Sequence, residues 1–344
     1  MRSHSVYSLI QLSRSAMRLR QFCFLLGLLI LLPHYAWSQA CCSGGVPISS
    51  NLGLASQEQG TLQLQFTYDW NHLQDLFTGN EQLDDDTRIR NTHSFLLEAS
   101  YDINKRFSVS TLFSIVRQER IISTFGDPDI TINTGLGDAI VLFRYNLIDP
   151  EAYTNHQLVV GIGPKIPLGR ANHRDSRGII LPADLQPGTG AWDMLAWGFY
   201  QYMGILRPST SFFGLTTYRV SGTNPTYNDV QSYRFGNEYQ LQLGISDRFN
   251  LGKLMVDPSV MLRYRTVGED RIDGNLFANT GGHWLDVIPG LQINFGPKAY
   301  YRISGNIPVF RALEGTQLTT SYKLTMALYY RFGLKKQAIE VIQP

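Results

Sequence analysis

The stretch QLTTSYKLTMALYYRF, residues 317–332, decides the fold. Leu318, Thr320, Tyr322, Leu324, Met326, Leu328, Tyr330 and Phe332 occupy every second position. Gln317, Thr319, Ser321, Lys323, Thr325 and Arg331 lie between them, with Ala327 and Tyr329. A β-strand sends successive side chains to opposite faces, so this segment has one apolar face and one wet one. The same alternation recurs at Leu62, Leu64, Phe66, Tyr68 and Trp70 against Thr61, Gln63, Gln65, Thr67 and Asp69. It recurs again around Phe95 to Ile103 and around Tyr239 to Ile245.

Twelve such segments follow along the chain, near 61–70, 91–103, 106–117, 137–147, 156–168, 190–203, 209–219, 233–246, 253–267, 282–295, 299–309 and 317–332. Those at 190–203 and 209–219 are partly apolar on both faces. Pro164, Pro258, Pro289 and Pro308 fall inside segments and should each mark a bulge or a strand end, because proline lacks the ladder donor. Tight connections at 104–105, 149–155, 204–208, 247–252 and 296–298 alternate with long polar ones at 71–90, 118–136, 169–189, 220–232, 268–281 and a shorter one at 310–316. Short turns on one side and long loops on the other are the plan of a transmembrane antiparallel up-and-down β-barrel, here of twelve strands over residues 61–332.

A soluble sandwich would also alternate. The apolar face here runs for five to eight alternate positions, enough for a tilted span. Aromatic residues such as Tyr68, Trp70, Tyr101, Tyr145, Tyr330 and Phe332 gather at its ends, as at a membrane interface. In lipid every backbone donor and acceptor needs a partner, and a closed sheet leaves no edge.

Composition agrees. The 344 residues include 30 Lys+Arg and 28 Asp+Glu, 43% hydrophobic residues, 18 Tyr, 18 Phe and 3 Cys. That apolar share excludes a disordered chain, and the cysteines are too few for a disulfide scaffold. No apolar run is long enough for a membrane helix. The near balance of charge gives no reason to expect a nucleic-acid partner.

Residues 1–38 read as a signal peptide. Arg2, Arg14, Arg18 and Arg20 precede the apolar run Phe22–Leu32, and Ala36-Trp37-Ser38 is a small-x-small cleavage site. Met17 is an alternative start. Residues 39–60 form an N-terminal periplasmic lead-in or a plug, and residues 333–344 a periplasmic tail. Cys41 and Cys42 then remain, and lipidation at Cys41 is the minor alternative.

Three Gly-rich motifs follow in order. Gly135-Leu136-Gly137-Asp138 opens one strand, Gly161-Ile162-Gly163-Pro164-Lys165-Ile166-Pro167-Leu168-Gly169 ends the next, and Gly188-Thr189-Gly190-Ala191-Trp192-Asp193 opens a third. Their order and the strand pattern resemble the transporter-like outer-membrane barrels named after phenol meta-cleavage pathways, over most of residues 60–332. The resemblance implies a barrel that passes small, often hydrophobic, compounds across the outer membrane. Phenol itself is not carried over to this chain.

If the apolar set faces lipid, the lumen receives Glu98, Asp138, Arg144, Lys165, Arg234, Glu238, Asp257, Arg263, Arg265, Asp286, Arg302, Lys323 and Arg331. These either select solutes or fill the barrel with ion pairs. Arg263, Arg265, Arg302 and Arg331 would form an anion-attracting stripe if left unpaired. Asp193 is read chiefly as a turn residue, with an inward Arg such as Arg144 as the other partner.

Acidic clusters at 84–86, 127–129 and 270–273 lack calcium-loop spacing and read as solvated loops, so no metal site and no cofactor are expected. No nucleophile elbow or phosphate loop is present. An outer-membrane phospholipase is the enzymatic rival, with His93 and Ser114 or Ser123 as its candidate pair. The expectation is therefore an outer-membrane channel and not an enzyme. Its partners would be outer-membrane lipid, the barrel-assembly machinery and an unidentified small solute. The alternative is a closed barrel that acts by structure or by loop-mediated binding.

Overall fold

The computed structural model describes residues 59–123, 127–148, 154–252 and 254–333. The expected signal peptide, most of the lead-in with Cys41 and Cys42, and the tail after Gly333 lie outside them. The described residues form a closed, all-antiparallel β-barrel. Its wall runs through β1 (Thr61–Gly79), β2 (Arg88–Asp102), β3 (Phe107–Ile122), β4 (Ala139–Asn146), β5 (His156–Ile166), β6 (Asp193–Met203), β7 (Ser211–Val220), β8 (Glu238–Ser246), β9 (Leu254–Val267) and β10 (Gly282–Asn294). One continuous stretch of strand, Ala299–Gly333, completes it.

Eleven stretches of strand cannot close a ring in which every neighbour is antiparallel, because direction reverses at each step and the number must be even. The last stretch resolves this by folding back. Residues 299–313 pair with β10 and residues 316–333 with β1. Gly315 takes the left-handed backbone, at φ 60°, that a tight reversal requires. Across the fold the Arg331 N–H donates to the Lys298 carbonyl at 2.8 Å, and the Tyr300 and Tyr329 rings stack at 4.5 Å. We number the halves β11 (residues 299–313) and β12 (residues 316–333). All twelve expected segments contribute strand to the wall, the eighth only from Glu238 onward.

Alternation sets the two faces. On β1 the side chains of Thr61, Gln63, Gln65, Thr67 and Asp69 are buried inside, while Phe66 is 54% exposed on the outside. The outer face continues through Phe95, Phe113, Phe143, Ile162, Leu262 and Leu328, all exposed. Aromatic groups bound it. Trp70, His93 and Tyr322 cluster toward the loop end. Phe107 with Tyr145, and Tyr330 with Phe332, cluster toward the turn end. From Tyr322 to Phe332, at roughly 3.3 Å per residue and a tilt of about 40°, the apolar band is about 25 Å tall.

Several local expectations change. The stretches 71–90 and 118–136 are largely strand, because β1 and β3 continue past the band and β3 pairs with Asp129–Leu136. Pro308 marks a bulge, at the register shift beside Asp286. Pro164 and Pro289 interrupt a ladder without shifting it. Pro258 sits in unbroken register with Leu291. The segment expected from 233 starts at Glu238, since Gln231–Arg234 belongs to a separate four-stranded sheet made with Asn224–Tyr227, Arg271–Ile272 and Asn275–Leu276.

The interior is divided. Leu96, Leu112, Ile140, Leu142, Val159, Leu195, Trp197, Phe199 and Leu215 form a buried apolar cluster on the inner faces of β2 to β7. This explains why 190–203 and 209–219 read as apolar on both faces: one side meets the exterior and the other this inner cluster. The inner faces of β1 and β8 to β12 are mainly polar.

Candidate functional site: an ion belt and an inward loop

Six consecutive staves each contribute one charged group at the loop end, alternating in sign. Asp138, immediately before β4, accepts from Lys165 of β5 at 2.6 Å. Lys165 also reaches Asp193 of β6 at 3.1 Å. Asp193 lies 3.9 Å from Arg219 of β7, which pairs with Glu238 of β8 at 3.0 Å. Glu238 accepts from Arg265 of β9 at 2.7 Å. Arg265 lies over the Trp284 ring of β10 at 4.7 Å, and Trp284 donates to Thr319 of β12. Asp138, Lys165, Arg219 and Glu238 are almost fully buried. A charge in such a place needs an opposite charge, which cross-strand neighbours supply to all four, and hydrogen bonds, which Asp138, Lys165 and Glu238 make.

The belt also anchors the loop of residues 167–192. The Asp138 carboxylate accepts from the Gly169 and Thr189 N–H groups at 3.1 and 3.0 Å and from the Thr189 hydroxyl at 2.7 Å. Lys165 donates to the Thr189 hydroxyl oxygen and, at 3.2 Å, to the Ala191 carbonyl. Gly169 and Gly188 meet backbone to backbone. A Cβ on Gly188 would lie 2.5 Å from Gly169 atoms, so only glycine fits this crossing. Gly135 and Gly137 leave room on the inner wall for Pro187. The three Gly-rich motifs, separate in sequence, thus form one clamp.

From the clamp the loop crosses the mouth. Leu181, Ala183, Leu185 and Gln186 are buried, with a single 3-10 turn at Ala183–Leu185. Asn133 donates to the Leu185 carbonyl at 2.7 Å. Asp184 is held at 2.5 Å by Arg90, which projects from the inner face of β2. Above it the four-stranded loop sheet packs Tyr233 and Phe235 against Ala183. Asp270 anchors that sheet, accepting from the Tyr233 hydroxyl at 2.5 Å and the Gly236 N–H at 2.8 Å. Burial pushes the Asp270 carboxyl up to about 6, with the Asp184 charge adding to the rise, and raises the Tyr233 phenol as well.

The expected lumen residues separate into groups. Glu98, Asp138, Arg144, Lys165, Glu238 and Asp286 are buried inside the barrel. Arg144 donates to Ser100 and lies over Trp197. Arg263 and Arg265 are paired, with Asp286 and Glu238, so they form no free cationic stripe. Lys323 pairs with Asp69 at 3.0 Å. Asp257 holds Arg248 at the turn-end rim, and Arg331 donates to the Pro297 carbonyl there. Arg234 is a correction: it lies in the loop sheet, donating to the Ser221 carbonyl, because the strand breaks before Glu238.

Asp193 accepts the Gly222 N–H, as a turn residue would, and also meets an inward Arg, Arg219 rather than Arg144, together with Lys165. Asp270 is a second correction, since it is buried rather than solvated. Trp192 is exposed on the outer face, and Gly190 has a positive φ. His93 points outward to the Tyr68 hydroxyl while Ser114 is buried inside, so they do not meet.

Arg219, Arg90 and Asp184 are absent from the sequence reading, and Thr189 enters it only inside its Gly-rich motif. Arg219 lies on the inner face of a segment that looked apolar on both sides. Asp184 has no local signal, because its partner is 94 residues away.

A second feature lies at the turn end. A cavity of about 280 Å³ opens between the apolar inner wall at Phe199, Phe213 and Leu215 and a polar wall that includes Gln292 and Arg302.

The sequence matches no protein-family model and no curated protein. Among solved structures, the COG4313 outer membrane channel from Pseudomonas putida F1 superposes with a TM-score of 0.64 at 14% identity, over 83% of this chain and 100% of that one. The beta domain of the Bordetella autotransporter BrkA gives a TM-score of 0.43 at 11% identity, over 80% of this chain and 100% of that one. The CymD monoaromatic hydrocarbon channel gives 0.38 at 9%, over 80% and 89%. The first of these likenesses is one of fold, and the chain has the closed antiparallel barrel of that outer membrane channel.

Proposed function

We propose that the chain is a bacterial outer-membrane channel for passive passage of a small solute, closed at its outer mouth by the 167–192 loop. The observation that carries this reading is the uneven filling of the lumen. The outer half is closed by the ion belt and the loop, while the turn-end half holds a cavity of about 280 Å³. A barrel that served only as a scaffold would have no reason to pack one half and hollow the other. The apolar inner cluster suits a solute with a hydrophobic body. The apolar outer face suits lipid, and the fold of the Pseudomonas putida channel supports the same reading.

In this reading residues 1–38 direct export and are removed. Residues 39–60 and 333–344 lie in the periplasm, and the barrel-assembly machinery inserts the wall. No residue is catalytic. The belt residues Asp138, Lys165, Asp193, Arg219, Glu238 and Arg265 hold the constriction, and movement of the loop opens it. Paired charges across adjacent staves make the constriction nearly neutral, so size and polarity select more than charge does there.

The test is single-channel recording of residues 39–344 refolded into a planar bilayer. Brief, low-conductance openings are expected, and deletion of residues 172–186 should lengthen and enlarge them. Silence from both proteins, with folded barrels demonstrated by heat-modifiable migration, would reject the channel in favour of a closed binding barrel.

A further inference from the structure

The turn-end cavity exists because three neighbouring staves carry small inward residues at one level. Ser259 of β9 pairs with Gly290 of β10, and Gly290 with Ser304 of β11. Even a Cβ on Gly290 would approach Ser259 Oγ at 2.9 Å and Ser304 Cβ at 3.4 Å. One step toward the turns, Arg302 of β11 faces the same space.

Arg302 differs from the inward cations Lys165, Arg219, Arg263, Arg265 and Lys323, each of which holds a carboxylate. Arg302 donates to the neutral Gln292 side chain at 2.7 Å and lies over the Tyr300 ring at 5.4 Å, and among the described residues it forms no ion pair. Two acids line the cavity, and both are already committed. Asp257 takes two hydrogen bonds of 2.8 Å from Arg248, one from Gln292 and one from Asn294. Asp247 accepts from the Ser209 hydroxyl at 2.6 Å and the Arg248 N–H at 2.8 Å and pairs with Arg207 at 3.4 Å. The opposite wall offers Phe199, Phe213 and Leu215. A guanidinium facing an apolar wall across a small hollow is complementary to a molecule with one anionic end and one hydrophobic end.

From this geometry we infer that the turn-end cavity is a binding subsite for small organic acids. The carboxylate sits on Arg302 and the hydrophobic body against Phe199, Phe213 and Leu215. The inference rests on the channel reading only for its place in a transport path, and it names the class of solute. Binding needs no covalent step.

The test uses the full barrel extracted from membranes in detergent, with benzoate as probe and benzyl alcohol as its uncharged analogue. Equilibrium dialysis should give saturable benzoate binding at least tenfold tighter than that of benzyl alcohol. Arg302→Gln should bring the two within about twofold, and Arg302→Lys should keep part of the preference. Gly290→Leu, which fills the hollow and leaves the charge in place, should remove saturable binding of both. Equal binding of the two probes by the wild type, or an unchanged preference in Arg302→Gln, would overturn the inference. Conducting barrels without saturable benzoate binding would overturn it and leave the channel standing. Benzoate binding by barrels that never conduct would support the subsite and remove the channel.

Discussion

Removing the Asp138 carboxylate should release the inward loop. Asp138 accepts four hydrogen bonds, one from Lys165 and three from the two ends of the loop at Gly169 and Thr189. It is fully buried, so solvent does not screen the interaction. Breaking a buried pair by deleting one partner costs about 3–5 kcal/mol, much of it from the charge left behind. Lys165 keeps Asp193 at 3.1 Å and the Ala191 carbonyl, which places Asp138→Ala at the lower end, about 3 kcal/mol. At 1.4 kcal/mol per factor of ten, the ratio of docked to released loop falls by about two orders of magnitude. Asp138→Asn, which keeps an acceptor oxygen but loses the charge, should cost about 1–2 kcal/mol.

Hydrogen exchange reads this out at amides that Asp138 does not touch. The Leu185, Gln186 and Gly188 N–H groups bond within the loop itself, to Pro182, Ala183 and Arg170. In Asp138→Ala they should exchange about a hundredfold faster while amides of the wall strands stay protected, since exchange follows the open population. Channel openings should become more frequent in step. If only the Gly169 and Thr189 amides lose protection and the internal loop amides do not, Asp138 is a local acceptor and not the clamp, and the reasoning fails.

Gly188→Ala forces a Cβ to within 2.5 Å of Gly169 backbone and should release the same loop, at a cost of about 1–3 kcal/mol, giving the same exchange signature with the ions intact. The loop sheet should be pH dependent. Asp270 has its pKa raised from 3.8 to about 6, so its folded form binds the proton more tightly than the unfolded form does. The sheet is then most stable below about pH 4 and loses that increment as pH rises through 6. Exchange in residues 224–234, corrected for its intrinsic pH dependence, should slow between pH 7 and 5, and Asp270→Asn should flatten the profile. On the outer face, Phe66→Arg at mid-band should cost about 2–4 kcal/mol in lipid bilayers, measured by urea unfolding. A cost under about 0.5 kcal/mol, ordinary for a surface site in water, would count against a lipid-facing wall.

Period-two alternation was enough to find all twelve staves, because the requirement that one face be apolar acts on each strand separately. It also assigned the polar set to the inside, as at Gln63, Gln65, Glu98 and Glu238, all buried there. It failed where two requirements overlap. Phe199 and Leu215 line an apolar patch inside the barrel while their neighbours face outward, so the alternation that marks polar-inside strands vanishes and Arg219 was passed over. It failed again at Arg234, where a break before Glu238 leaves residues 233–237 outside the wall.

What the sequence determined by itself is the wall: a closed antiparallel sheet, its two faces, and three glycine-rich motifs whose order could be read without their purpose. Tertiary structure decided what those motifs are for. Asp138, Lys165, Thr189 and Asp193 come from four points along the chain, and their meeting depends on the register between staves and on a loop folding inward. The same register decided that Arg263 and Arg265 are neutralised whereas Arg302 faces a hollow cut by Ser259, Gly290 and Ser304. Alternation is a property of each strand alone; pairing between charges is a property of neighbours in space, and local sequence carries no record of it.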